Sequence, residues 1–189
     1  MSTLGFALFD TPIGHCGIAW GERGLTGVFL PEDNEALTRA RMARRFPDCV
    51  ALAPPPQVQK AIRDLVALLR GEPNEPKDLS DIELDMEGVP PFNRRVYELA
   101  RGIQPGTTLT YGEIATRLGD PGLARAVGQA LGHNPFAPVV PCHRVLAAGG
   151  RSGGFSANGG VVTKLRMLQI EHTRFNGPGL FDDQPSVQN

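Results

Sequence analysis

A cysteine stands beside a histidine in V-V-P-C-H-R-V, Val139 to Val145. A thiolate is a strong nucleophile, and histidine is a common base for making one. His143 and Arg144 add positive potential, which favours ionised sulfur. Pro141 removes a backbone donor and stiffens the approach to Cys142. A proline-rich, non-helical arm, N-P-F-A-P-V-V-P, comes before the motif, and a glycine-rich loop, G-G-R-S-G-G-F-S-A-N-G-G, comes after it. That loop leaves room for backbone to approach a ligand. It lacks the G-K-[ST] ending of a phosphate cradle. One feature opposes catalysis. Neighbours in an extended chain point to opposite faces, so His143 cannot touch the Cys142 sulfur directly.

The competing reading of a free cysteine is an inert small hydrophobe. Cys16 and Cys49 are read that way. Cys16 follows His15, but no C-x-x-C pair completes a zinc site, so no metal and no cofactor are expected. Three cysteines form no disulfide framework and suit a reducing cytosol, so a cytoplasmic location is expected. The N-terminus has no basic n-region of a secretory signal, and no apolar run approaches the ~20 residues that span a membrane.

The elements that must position Cys142 are legible in outline. G-F-A-L-F-D, H-C-G-I-A-W and L-T-G-V-F-L read as strands, the last two joined at G-E-R-G as a hairpin. A short helix follows, capped by Asp33 or Asn34. Pro54–Pro56 open a second helix with Val58, Ile62, Leu65 and Leu69 on one face, stopped by Gly71 and Pro73. Ile82 to Asp85 reads as a further strand. G-V-P-P, Gly88 to Pro91, is the expected domain boundary. Beyond it the pattern turns helical, first with Phe92, Val96, Leu99 and Ile103 facing inward. Thr110 and Glu113 form a capping box, and Gly119 ends that helix. L-A-R-A-V-G-Q-A-L-G-H-N follows after a tight turn, which matches a helix-turn-helix. A last helix ends near Glu171, with Val162, Leu165, Met167 and Leu168 facing inward, and residues 173–189 read as a loose tail. The fold class is therefore α+β: a small N-terminal antiparallel sheet with helices, then a mostly helical winged helix-turn-helix domain carrying the cysteine.

Charge divides at the same boundary. Residues 1–89 hold 9 Lys/Arg against 14 Asp/Glu, net −5, and residues 90–172 hold 9 against 4, net +5. Such asymmetry fits a polyanion partner for the second half, or segregated solvated surface charge.

R-A-V-G-Q-A, N-P, P-C-H-R-V, G-G-F-S and a Lys-Leu-rich helix ending in I-E, in this order and spacing, resemble the O6-alkylguanine-DNA alkyltransferase family, the methylated-DNA–protein-cysteine S-methyltransferases. The resemblance is strong over residues 90–172 and extends to residues 1–88 in length and pattern only. It implies a ribonuclease H-like domain over 1–88, a DNA-binding and alkyl-transfer domain over 89–172, and a tail over 173–189. It implies a monomer that flips O6-alkylguanine, or O4-alkylthymine, out of double-stranded DNA and transfers the alkyl group irreversibly to Cys142. A base inside the stack cannot present its O6 in line to sulfur, so extrusion is needed. The carried-over roles are His143 acting on the thiol through water, Glu171 orienting that imidazole, and Asn134 bracing the turn before the cysteine. Tyr111 would contact phosphate and the guanine edge. Arg125 would fill the gap left by the flipped base. Ala124, Ala126, Gly128 and Gly132 would let the recognition helix lie close in the minor groove, with Arg144 as a further DNA contact. The backbone of Val145 and Ser156 would read the base, and Phe155 stands where the family usually has tyrosine. The alternatives are a non-catalytic lesion-recognition protein of the same fold and a winged-helix regulator with a redox-sensing cysteine.

Overall fold

The computed structural model describes residues 3–72 and 77–173. Pro73, expected to help stop the second helix, and the tail beyond Thr173 lie outside the described residues.

Strands β1 (Thr3–Thr11), β2 (Gly14–Gly21) and β3 (Gly24–Phe29) form an antiparallel meander. A fourth strand, β4 (Val50–Ala51), adds parallel to β1, giving the order β3-β2-β1-β4. The expected all-antiparallel sheet is thus corrected at one edge. β4 has only two residues, too few to show alternation. Helix α1 (Glu35–Arg45) starts at Asn34, whose side chain accepts from the Leu37 N–H, so Asn34 rather than Asp33 is the cap. Helix α2 (Pro56–Arg70) buries Val58, Ala61, Leu65, Leu68 and Leu69 against the sheet, and Ile62 only partly. Ile82–Asp85 is not a strand. Leu84 makes a lone bridge to Leu25.

In the second half, α3 (Pro91–Arg101) buries Val96, Tyr97 and Ala100, while Phe92 and Leu99 are partly buried. β5 (Leu109–Thr110) leads into α4 (Tyr111–Arg117), where the Thr110–Glu113 capping box forms in both directions. A single 3-10 turn, Pro121–Leu123, joins α4 to α5 (Ala124–Gly132). α4 and α5 pack together as the helix-turn-helix, and β6 (Val145–Leu146) pairs with β5 in parallel. Helix α6 (Val161–Ile170) closes the domain. Its inward face differs from the expected one. Val162 is 75% exposed, and the fully buried Lys164 takes the inner position beside Met167 and Leu168.

The two halves share core. Val139 packs among the α2 and β2–β3 side chains, and Leu69 of α2 meets Met167 of α6. The Val28 N–H donates to the Pro135 carbonyl at 2.9 Å. Gly71 ends α2 at φ 68°, and a Cβ there would lie 2.5 Å from the Ile170 carbonyl oxygen, so only glycine permits this close approach.

Candidate active site

Cys142 is not in an extended strand. Residues Cys142–Arg144 form one turn of 3-10 helix between Pro141 and β6. All three are buried, with Cys142 7%, His143 0% and Arg144 5% exposed. The turn sends the three side chains in different directions, as alternation would have done, but the cause is helical rotation rather than pleat. Asn134 holds the approach: its amide donates to the Val140 carbonyl at 2.8 Å and its carbonyl oxygen accepts from the Phe136 N–H at 2.9 Å.

Cys142 opens into a cavity of about 540 Å³. Tyr111, Ala124, Arg125, Gly128, Phe155 and Ser156 line it, so most of the expected pocket and groove residues converge on the sulfur. Ala126 lies on α5 away from the lining. Val145 is fully buried behind the cysteine, and its carbonyl accepts from Lys164 Nζ at 2.6 Å. Gly153 (φ 68°) brings the loop against the Tyr111 ring, where a Cβ would come within 3.0 Å.

Behind the cysteine lies a buried ionic cluster. His143 Nε2–H donates to Glu171 Oε1 at 2.7 Å. Arg144 grips the same carboxylate with Nε at 2.9 Å and Nη2 at 2.7 Å, and its Nη1 donates to the Ile103 carbonyl at 2.6 Å. This corrects the expectation that Arg144 contacts DNA. Its guanidinium is buried and hydrogen-bonds to Glu171 and Ile103. With Nε2 protonated toward Glu171, Nδ1 carries the lone pair of the neutral ring. Nδ1 is buried and has no hydrogen-bond partner among the described residues.

The electrostatics follow from burial. Desolvation pushes the Cys142 thiol up, and a hydrogen bond from Asn134 and the charge of Lys164 pull only part of the way back. Burial also lowers His143, outweighing the pull of Glu171, so the imidazole is neutral at rest. Burial alone would raise Glu171. His143 and Arg144 override it and hold the carboxylate down to about 2. Because His143 is neutral, Arg144 is the standing charge partner. Lys164 is pushed down to about 8 by burial, with the Cys142 sulfur pulling it up. Its ammonium also donates to the Gly154 carbonyl at 3.2 Å and lies 5.7 Å from the Tyr111 ring centroid. It thereby ties the cysteine turn to the glycine loop. Sequence reading missed Lys164, although V-V-T-K-L-R-M-L places it three residues from Met167, on one helix face.

A family model described as 6-O-methylguanine DNA methyltransferase, DNA binding domain, matches residues 91–173. A methylated-DNA–protein-cysteine methyltransferase of Mycobacterium leprae is 43% identical over 174 residues, covering 92% of this chain and 96% of that protein. The same-named protein of Mycobacterium tuberculosis is 37% identical over 169 residues, covering 89% and 93%. A crystal structure of Mycobacterium tuberculosis OGT in complex with DNA superposes with a TM-score of 0.70 at 35% identity, covering 89% of this chain and 93% of that one. A buried cysteine backed by a His143–Glu171 hydrogen bond and opening onto a helix-turn-helix, together with relatives aligned over nearly their whole length, leads to one assignment: the chain belongs to the methylated-DNA–protein-cysteine methyltransferase family.

Proposed function

We propose that this chain repairs DNA by direct reversal, transferring an alkyl group from the O6 of guanine to Cys142 as a monomer. The observation that carries the reading is the buried Cys142–His143–Glu171 arrangement beneath a cavity walled by the helix-turn-helix. Residues 89–172 would then do the binding and the chemistry, with 1–88 as a supporting domain.

α5 enters the minor groove, where Ala124, Ala126, Gly128 and Gly132 permit close approach and Arg125 replaces the extruded base. The cavity holds the flipped guanine. A water takes the Cys142 proton and passes one to His143 Nδ1. Glu171 compensates the imidazolium that forms, and Lys164 compensates the thiolate. Sulfur then attacks the alkyl carbon. The S–C bond forms, the C–O6 bond breaks, and its electron pair stays with guanine, which takes up a proton with Tyr111 as the neighbouring donor. The proton leaving the thiol is balanced by the one guanine gains. The thioether is a poor leaving group, so each molecule turns over once.

Intact mass after incubation with an O6-methylguanine duplex tests this. The expected gain is one methylene, about 14 Da, on Cys142 and none in Cys142→Ala, which still binds DNA. A folded wild-type protein with no mass change would instead leave the lesion-recognition or regulator reading.

A further inference from the structure

The acidic net charge of the first half hides a basic cleft. Arg41, Arg44 and Arg45, from the last turns of α1, line a cavity of about 450 Å³ with His133 and Asn134 from the end of α5. The cleft spans the junction at which β3 bonds to Pro135, so residues from both halves build it. Arg41 pairs with Glu32 at 2.9 Å and lies 5.6 Å from the Phe29 ring centroid, while Arg45 lies 5.1 Å from that of Phe46. Among the described residues, Arg44 and Arg45 make no ion pair. Gly132 and Ser156 line both this cleft and the Cys142 cavity, so the two are adjoining.

We propose that this cleft binds backbone phosphates of the DNA strand that leaves the active-site mouth past the C-terminal end of α5. The proposal rests on the DNA-repair reading and extends the DNA footprint into the N-terminal half. The chemistry is direct. Arg44 and Arg45, cations with no ion-pair partner among the described residues, stand beside the mouth, and aromatic rings hold the neighbouring Arg41 and Arg45 guanidiniums in place. A duplex carries one charge per ~1.7 Å of axis, so a strand seated on α5 necessarily brings further phosphates to its neighbours.

The test measures affinity against salt for the full chain and for the Arg44→Gln/Arg45→Gln double variant, on a long duplex bearing O6-methylguanine. Each lost phosphate contact lowers the slope of log K against log salt by about 0.9, so the double variant should lose about 1.8. Arg44→Lys/Arg45→Lys should keep the wild-type slope, which separates charge from any folding defect. Transfer from the free O6-methylguanine base, read by intact mass, should be the same in all three proteins. An unchanged slope in the Gln variant with normal free-base transfer overturns the cleft assignment. So does a variant that changes only self-association, which would make the cleft a contact between copies. Absence of transfer by the wild-type protein would instead sink the repair reading itself.

Discussion

Glu171→Gln is the most informative perturbation of the site. Glutamine keeps the volume and one acceptor oxygen but removes the charge. Arg144 is 5% exposed and makes two hydrogen bonds to the carboxylate, at 2.9 and 2.7 Å. Removing one partner of a buried ion pair costs about 3–5 kcal/mol, because the other charge stays buried without compensation. The chemical effect is separate. In the proposed relay, His143 gains positive charge as the thiol ionises, and its 2.7 Å bond to Glu171 then becomes charge-assisted at both ends. Replacing that partner by a neutral amide forfeits about 1.5–3 kcal/mol in the transition state, roughly tenfold to 150-fold in rate. The assay is a single-turnover time course of intact mass on an O6-methylguanine duplex, at a temperature where circular dichroism shows the variant folded. The deficit should narrow as pH rises, since hydroxide then supplies the thiolate without the imidazole. A folded variant that methylates Cys142 at the wild-type rate would refute the relay. A deficit independent of pH would mean that Glu171 only holds the architecture.

Acid should unfold the protein through the same residue. Glu171 is held down to about 2 against an ordinary value of 4.5, so its stabilisation is present above 4.5 and lost as pH falls toward 2. The loss amounts to at most about 3 kcal/mol, seen as a fall in chemical-denaturation stability that Glu171→Gln does not show. Lys164→Met should slow transfer by removing both the charge beside the thiolate and the donor to Val145 and Gly154. Its rate gap from wild type should narrow as pH rises through about 8, where the lysine itself becomes neutral. Phe155→Tyr adds a hydroxyl to the cavity wall, and a hydrogen bond from it to the alkyl oxygen, worth about 1–3 kcal/mol, should speed transfer about fivefold to 150-fold. Equal rates for the wild type and the Phe155→Tyr variant on a methylated duplex would exclude that contact.

What could be read along the chain was what short-range chemistry dictates. The Thr110–Glu113 capping box, the Gly-flanked hairpin and the helix-turn-helix each depend on hydrogen bonds and backbone preferences within a few residues. P-C-H-R-V was equally legible, because the cysteine and the histidine beside it are adjacent in the chain. Pairing His143 with Glu171 needed a family resemblance, since 28 residues separate them. Arg144 and Lys164 were misjudged or missed for a different reason. Sequence reading sends charged side chains to solvent, since burying one without a partner is costly. Only the fold brings the Glu171 carboxylate to Arg144, and the Val145 and Gly154 carbonyls to Lys164, so that burial is compensated. The same holds for the α1 arginines. Counted along the chain they vanish into an acidic half, and only the fold, which bonds β3 to Pro135 and places α1 across a cleft from the end of α5, sets them beside the active-site mouth. The sequence by itself determined the nucleophile and the helices that carry it. The tertiary structure decided which charges are buried, because burial and pairing depend on residues the chain brings together only by folding.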